Sequence, residues 1–252
     1  MARMNYKKNA AWLVLSLIFG LASAGTAVAA DTPEADPVKQ ALALADAGQN
    51  KEALDQLADA IKAEPARPEL YFHRGMILVR TNELDRALSN FNKASELSPK
   101  FAQAYVGRAM VQFLKHDLDQ TIVELDRAVD LDPALAVAYY NRGVAKSYKE
   151  QFESAYNDLA KAKALGHTVE DELLKQVWGL AHPEEVIKVA EEEIQKDPKK
   201  GEAYYNRAVA RYYKKDFTGT LQDLNKAKSL GIDSVDDFIK AVQHQIDHPA
   251  EK

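Results

Sequence analysis

The sequence has no cysteine in its 252 residues. Disulfides and thiolate metal sites are therefore excluded, and so is a lipid anchor carried on a cysteine behind a leader. Whatever fold forms must hold by packing alone. No asparagine stands in an N-x-S/T triplet, so no glycan acceptor is present. Glycine-rich phosphate loops and the Gly-x-Ser-x-Gly nucleophile elbow are missing too. Of the six histidines, only His244 and His248 share the helical i, i+4 spacing of metal ligands, and two ligands without a third make a poor site. Neither an enzyme, a cofactor nor a metal centre is expected. Basic blocks are also absent. The chain carries 33 basic against 38 acidic residues, for a net charge of −5. Such a chain offers no electrostatic footprint for nucleic acid or for an anionic membrane surface.

Long apolar runs are scarce, with one exception, AAWLVLSLIFGLA at 10–22. It follows Arg3, Lys7 and Lys8 and ends in small residues at GTAVAA, 25–30. That order of basic, apolar and small segments marks 1–30 as a secretory signal peptide, with cleavage expected after Ala29 or Ala30. The expected location is the periplasm. The alternative is an inner-membrane anchor made by the same segment left uncleaved, which is the only membrane contact expected. Residues 31–36 (DTPEAD) are expected to be a short mobile lead-in.

Repetition dominates the rest. AYYNRGVAK begins at 138, and AYYNRAVAR begins 65 residues later at 203. DLAKAKALG (158–166) returns as DLNKAKSLG (223–231) at the same offset. Pro65, Pro99 and Pro133 are spaced by 34, each closing a helical segment. Small residues recur in step at Ala41, Gly75, Ala109, Gly143 and Ala208, and again at Ala53, Ala87, Thr121, Ala155 and Thr220. Large ones recur at Leu57, Phe91, Leu125, Leu159 and Leu224. Two helices approach closely only where a small side chain meets a large one, and repetition of that contact stacks hairpin on hairpin.

The spacing resembles the tetratricopeptide repeat (TPR), a 34-residue helix-turn-helix unit. The family pattern of aromatic, small and proline positions is met at Tyr71, Gly75, Leu78, Ala87, Phe91, Ala94 and Pro99. The resemblance implies an all-α superhelical solenoid of antiparallel helix pairs over 37–248, with about 13 helices. Units are expected at about 34–67, 68–101, 102–135, 136–169 and 201–234, with a degenerate unit at 167–200 and a capping helix at 235–247. The offset of 65 rather than twice 34 puts a three-residue deficit in the degenerate unit. Leu174, Val186 and Glu193 stand there where small residues belong, so its helices are expected to pack differently from their neighbours.

The resemblance further implies a concave groove lined by the first helix of each unit. The residues at inward-facing family positions are Phe72, His73, Met76, Val106, Met110, Phe113, Leu114, Tyr140, Asn141, Val144, Tyr148, Tyr205, Asn206, Val209 and Tyr212. This aromatic and apolar set is expected to hold a partner's peptide or helix, with Asn141, Asn206 and His73 pairing its backbone. Several of the same positions are family consensus, so a scaffold role stays open beside a binding role. Arg74, Arg108, Arg142 and Arg207 form a second ladder, which either meets an acidic partner or pairs with carboxylates such as Glu124 and Asp158. The family's clamp for a C-terminal carboxylate is incomplete, because Val106, Met110, Thr168 and Glu172 stand at its other positions. The expected function is a non-catalytic protein-interaction adaptor of the cell envelope. The alternatives are a self-associating assembly factor and a carrier of a cell-wall or lipid ligand.

Overall fold

In a computed structural model, residues 36–248 are described; the expected signal peptide lies outside the described residues. Thirteen α-helices and no strand occur among them. They are α1 Pro37–Asp46, α2 Asn50–Ala63, α3 Pro68–Arg80, α4 Leu84–Leu97, α5 Ala102–Leu114, α6 Leu118–Leu131, α7 Ala136–Tyr148 and α8 Phe152–Ala164. There follow α9 Asp171–Ala181, α10 Pro183–Lys196, α11 Gly201–Tyr213, α12 Phe217–Ser229, a short 3-10 turn at Asp233–Val235, and α13 Asp236–Asp247. Two compact units divide between Val169 and Glu170, with α1–α8 in the first and α9–α13 in the second.

Local chemistry fixes the helix ends. Asp36, at the end of the expected lead-in, accepts a hydrogen bond from the Val38 amide at 3.2 Å ahead of Pro37 and so caps α1. Asp117 and Asp216 cap α6 and α12 in the same way. Five hairpins reverse through a three-residue turn whose middle residue is left-handed. Gly48 fills that place once (φ +81), whereas Asn82, His116, Glu150 and Lys215 fill it at φ between 61 and 63. The residue after each closes the turn onto the preceding helix, as in Glu83 N to Leu78 O at 2.8 Å and Asp216 N to Arg211 O at 3.0 Å. Gly166 and Gly231 are left-handed at the ends of α8 and α12.

Within each regular hairpin a small residue admits a large one. A Cβ on Gly75 would fall 2.6 Å from the Phe91 ring, and one on Gly107 would fall 2.5 Å from it. Phe91 is thus wedged between α3 and α5 with none of its surface exposed. Its burial contributes about 1.5–3 kcal/mol, and lengthening either glycine would forfeit that contact. Ala87, Ala94, Leu78 and Tyr71 belong to the same cluster. Gly143 admits Leu159 in the α7–α8 hairpin, where a Cβ would fall 2.8 Å from Leu159 Cγ.

The α9–α10 pair breaks this scheme. Its helices are joined by His182 alone, at φ −121, with no left-handed residue. Only Val177 and Ala190 are buried in the pair, and α10 packs chiefly along α11 rather than against α9.

Candidate functional site

The residues singled out as groove-lining lie on α3, α5, α7 and α11. In the first unit, Phe72, Val106, Met110, Phe113, Tyr140, Asn141 and Val144 are buried, none with more than 8% of its surface exposed. They face neighbouring helices rather than open space. Phe72 sits against Phe91 and Phe101, with ring centroids at 5.8 and 5.4 Å, and Tyr140 lies over the His167 ring at 4.5 Å. As contact area for a partner these seven have little left to give; their burial makes them core.

What stays partly open is a narrower row formed by His73 and Met76 on α3, Leu114 on α5 and Tyr148 on α7. Met76 and Leu114 rest on the same cluster as Phe72 and Met110, and Tyr148 stands edge-on to Phe113 at 5.3 Å. Met76 and Leu114 thus share one apolar floor, with His73 against Phe72 on α3 and Tyr148 against Phe113 on α5. The row is uncharged. Burial holds the His73 imidazole below its usual range against the opposing pull of Asp36 and Glu69, and burial pushes the Tyr148 phenol up. Asn141 Oδ1 and Ser147 Oγ on α7 are buried without a hydrogen-bond partner in the protein, which is uncommon for buried polar atoms.

In the second unit, Tyr205, Val209 and Tyr212 pack on a cluster that includes Phe238 and Val242 of α13. Tyr212 meets the Phe238 ring edge-on at 5.3 Å, and burial raises the Tyr205 phenol. The chain's own last helix therefore occupies much of what the sequence offered as groove there. Asn206 is exposed.

The arginine ladder is internal. Arg108 donates to Glu124 at 2.6 Å, Arg142 donates twice to Asp158 at 2.8 and 2.6 Å, and Arg207 donates twice to Asp223 at 2.9 and 2.8 Å. Arg74 meets the neutral Asn90 Oδ1 at 2.7 Å instead. Each guanidinium also lies over the tyrosine three residues before it, at 5.3–5.7 Å. Tyr71, Tyr105 and Tyr204 in turn donate to the carbonyls of Pro65, Pro99 and Pro198. Proline, tyrosine, arginine and carboxylate form a complete brace around Arg108 and around Arg207. The spacing of 16 residues from arginine to acid is the sequence signal for it.

The His244 and His248 rings lie 4.7 Å apart, but no group of three or more potential metal ligands exists among the described residues.

A family model described as tetratricopeptide repeat matches residues 38–100 and 74–136. No curated protein matches the chain. Among solved structures, YrrB, described as a TPR protein with an unusual peptide-binding site, is 23% identical and superposes with a TM-score of 0.53, covering 76% of this chain and 97% of its own. A tetratricopeptide repeat protein from Parabacteroides merdae is 17% identical with a TM-score of 0.51, covering 82% of this chain and 96% of its own. Both share the fold.

Proposed function

We propose that this chain is a tetratricopeptide-repeat protein that acts as a non-catalytic interaction scaffold of the cell envelope and holds a partner's peptide or helix on the first helices of its first unit. The observation that carries the reading is the uncharged row of His73, Met76, Leu114 and Tyr148 across α3, α5 and α7, set on a packed apolar floor. Side chains of a partner gain contact area there without removing any charge from water. A tyrosine and a neutral imidazole supply polar tips for a partner's backbone. The peptide-binding site described for YrrB is in keeping with this use of the fold. Export rests on the basic, apolar and small segments of residues 1–30.

A photo-crosslinking amino acid placed at Leu114 or Tyr148 in living cells tests the binding surface. Adducts are expected from both positions and not from the exposed Arg127 on α6. Adducts from Arg127 alone would move the surface elsewhere. Fractionation of the same cells tests export, with the shortened chain expected in the periplasmic fraction; full-length protein confined to the cytosol would remove the envelope from the proposal.

A further inference from the structure

The arginine ladder has one member without a counter-charge. Each arginine stands between two positions, 16 residues before it and 16 after. For Arg142 these are Asp126 and Asp158, and for Arg207 they are Glu191 and Asp223; all four carboxylates are bound. For Arg108 they are Asn92 and Glu124, so one carboxylate remains. For Arg74 they are Ala58 and Asn90, and none remains. Asn90 Oδ1 takes the Arg74 Nε hydrogen at 2.7 Å, while its amide is spent on the Arg86 carbonyl at 2.8 Å. No carboxylate pairs with Arg74 among the described residues, so both terminal nitrogens of the guanidinium keep their donors.

Those donors line a cavity of about 520 Å³ between α3 and α4, walled by Tyr71, Ser89, Asn90 and Asn92. The other charges around it are matched. Asp85 is held by Lys115 at 2.6 Å, Lys93 by Glu96 at 3.3 Å, and Arg86 by Glu83. Of the charged residues that line it, Arg74 is the one with no counter-ion. Its environment differs accordingly from that of its counterparts. Burial lowers the Arg74 pKa, with Arg86 adding to the effect. Arg142, although burial pulls it the same way, is carried above the usual value by Asp158 and Asp126.

We propose that the Arg74 cavity is a binding site for the carboxylate of an acidic peptide segment. The chain itself shows the geometry: Arg142 Nη1 donates to Asp126 at 2.8 Å beside the Asp158 pair, and an incoming Asp or Glu would meet the terminal nitrogens of Arg74 in that way, its Nε being taken by Asn90. A planar guanidinium with paired free donors suits a carboxylate. The site lies on α3 and α4 and does not depend on the row of Met76, Leu114 and Tyr148.

Calorimetry of the purified protein at low salt, with N-acetylated and C-amidated tetraglutamate as the probe, tests this. Tetraglutamate is expected to bind, and the tetraglutamine analogue is not. The decisive variant is Asn90→Asp, which supplies the missing carboxylate internally; it is expected to melt no lower than the parent yet to bind tetraglutamate at least tenfold more weakly, on the scale of one charge-assisted bond. Arg74→Gln should lose binding to the same degree. Absence of tetraglutamate binding, or less than a tenfold loss in Asn90→Asp, overturns the proposal. So does binding of inorganic phosphate or free glutarate as tight as that of the peptide, which would make the cavity a general anion site.

Discussion

Thirty-four residues before each core position of the α11–α12 hairpin lies the matching position of α9–α10, and the two sets of side chains are nearly opposites. Ala208 and Thr220, both fully buried or nearly so, correspond to Leu174 and Val186. Leu224, with no exposed surface, corresponds to Ala190. The braced pair of Arg207 and Asp223 corresponds to Leu173 and Val189, and Val189 is 56% exposed. Tyr212, covered by Phe238, corresponds to Trp178, which is 36% exposed and stacks on His182. Helices form in both hairpins, because amphipathic periodicity survives these exchanges. Close approach does not survive them, because it needs the small residue on the side where the fold expects it. Repeat length and repeat packing are therefore separate properties of the sequence.

The largest expected effect comes from making the tight hairpin resemble the loose one. Leu224→Ala should cost about 2–5 kcal/mol, since α12 is already held by Tyr205, Phe217 and Phe238 around that cavity and cannot collapse freely. Leu174→Ala, at a half-buried site, should cost less than about 1 kcal/mol. Urea unfolding read by hydrogen exchange in α9–α12 separates the two; equal costs would mean that the hairpins pack alike. Next comes Asp223→Ala. Asp223 accepts from Arg207 twice and from Arg211 at 2.8 Å while its own side chain is 5% exposed. Its removal leaves Arg207 only Glu191 at 3.6 Å and Arg211 only Asp216 at 3.7 Å, and should cost about 2–3 kcal/mol by the same measurement. A smaller and sharper test uses the turns, where glycine should act with opposite sign. Lys215 holds φ +63, so Lys215→Gly should stabilise by about 0.5–1 kcal/mol. His182 lies at φ −121, so His182→Gly should destabilise by about 0.5 kcal/mol through the freer unfolded chain.

Most of the architecture is legible in the sequence, because the repeat states each contact several times. The wedge of Phe91 against Gly75 follows from spacing alone, and the pairing of Arg108 and Arg142 with Glu124 and Asp158 is one of the two roles that the sequence left open for their ladder. The candidate surface is less legible. A position facing the next repeat can be open or closed depending on the size of one neighbour, and at Phe72 the rings of Phe91 and Phe101 close it. The covering of Tyr212 by Phe238 involves α13, a helix outside the regular repeat, so no period announces it. The turns carry a similar lesson. Asn82 and His116 are of residue types that favour the left-handed region, but Glu150 and Lys215 are not, and their turns are imposed by the helices they join. Ala190 is the clearest missed signal: an alanine in the place held elsewhere by Leu57, Phe91, Leu125, Leu159 and Leu224 marks the loose hairpin as plainly as Leu174 does.

The smallest expected effect carries the most information about α9–α10. Val189→Asp restores the acid of the register, yet at a site 56% exposed it should change stability by no more than about 0.5 kcal/mol. Leu173→Arg restores the arginine. In the tight hairpin the same two positions form a brace whose acid is 5% exposed. If α9 and α10 are as loosely joined as their missing turn and misplaced small residues require, the restored pair meets in water. A double-mutant cycle should then give a coupling of about 0.2–0.5 kcal/mol, the value of a solvated ion pair, and salt should erase it. A coupling above about 1.5 kcal/mol would mean that the helices close on one another as α11 and α12 do, and the contrast between the two hairpins would then belong to their side chains and not to their packing.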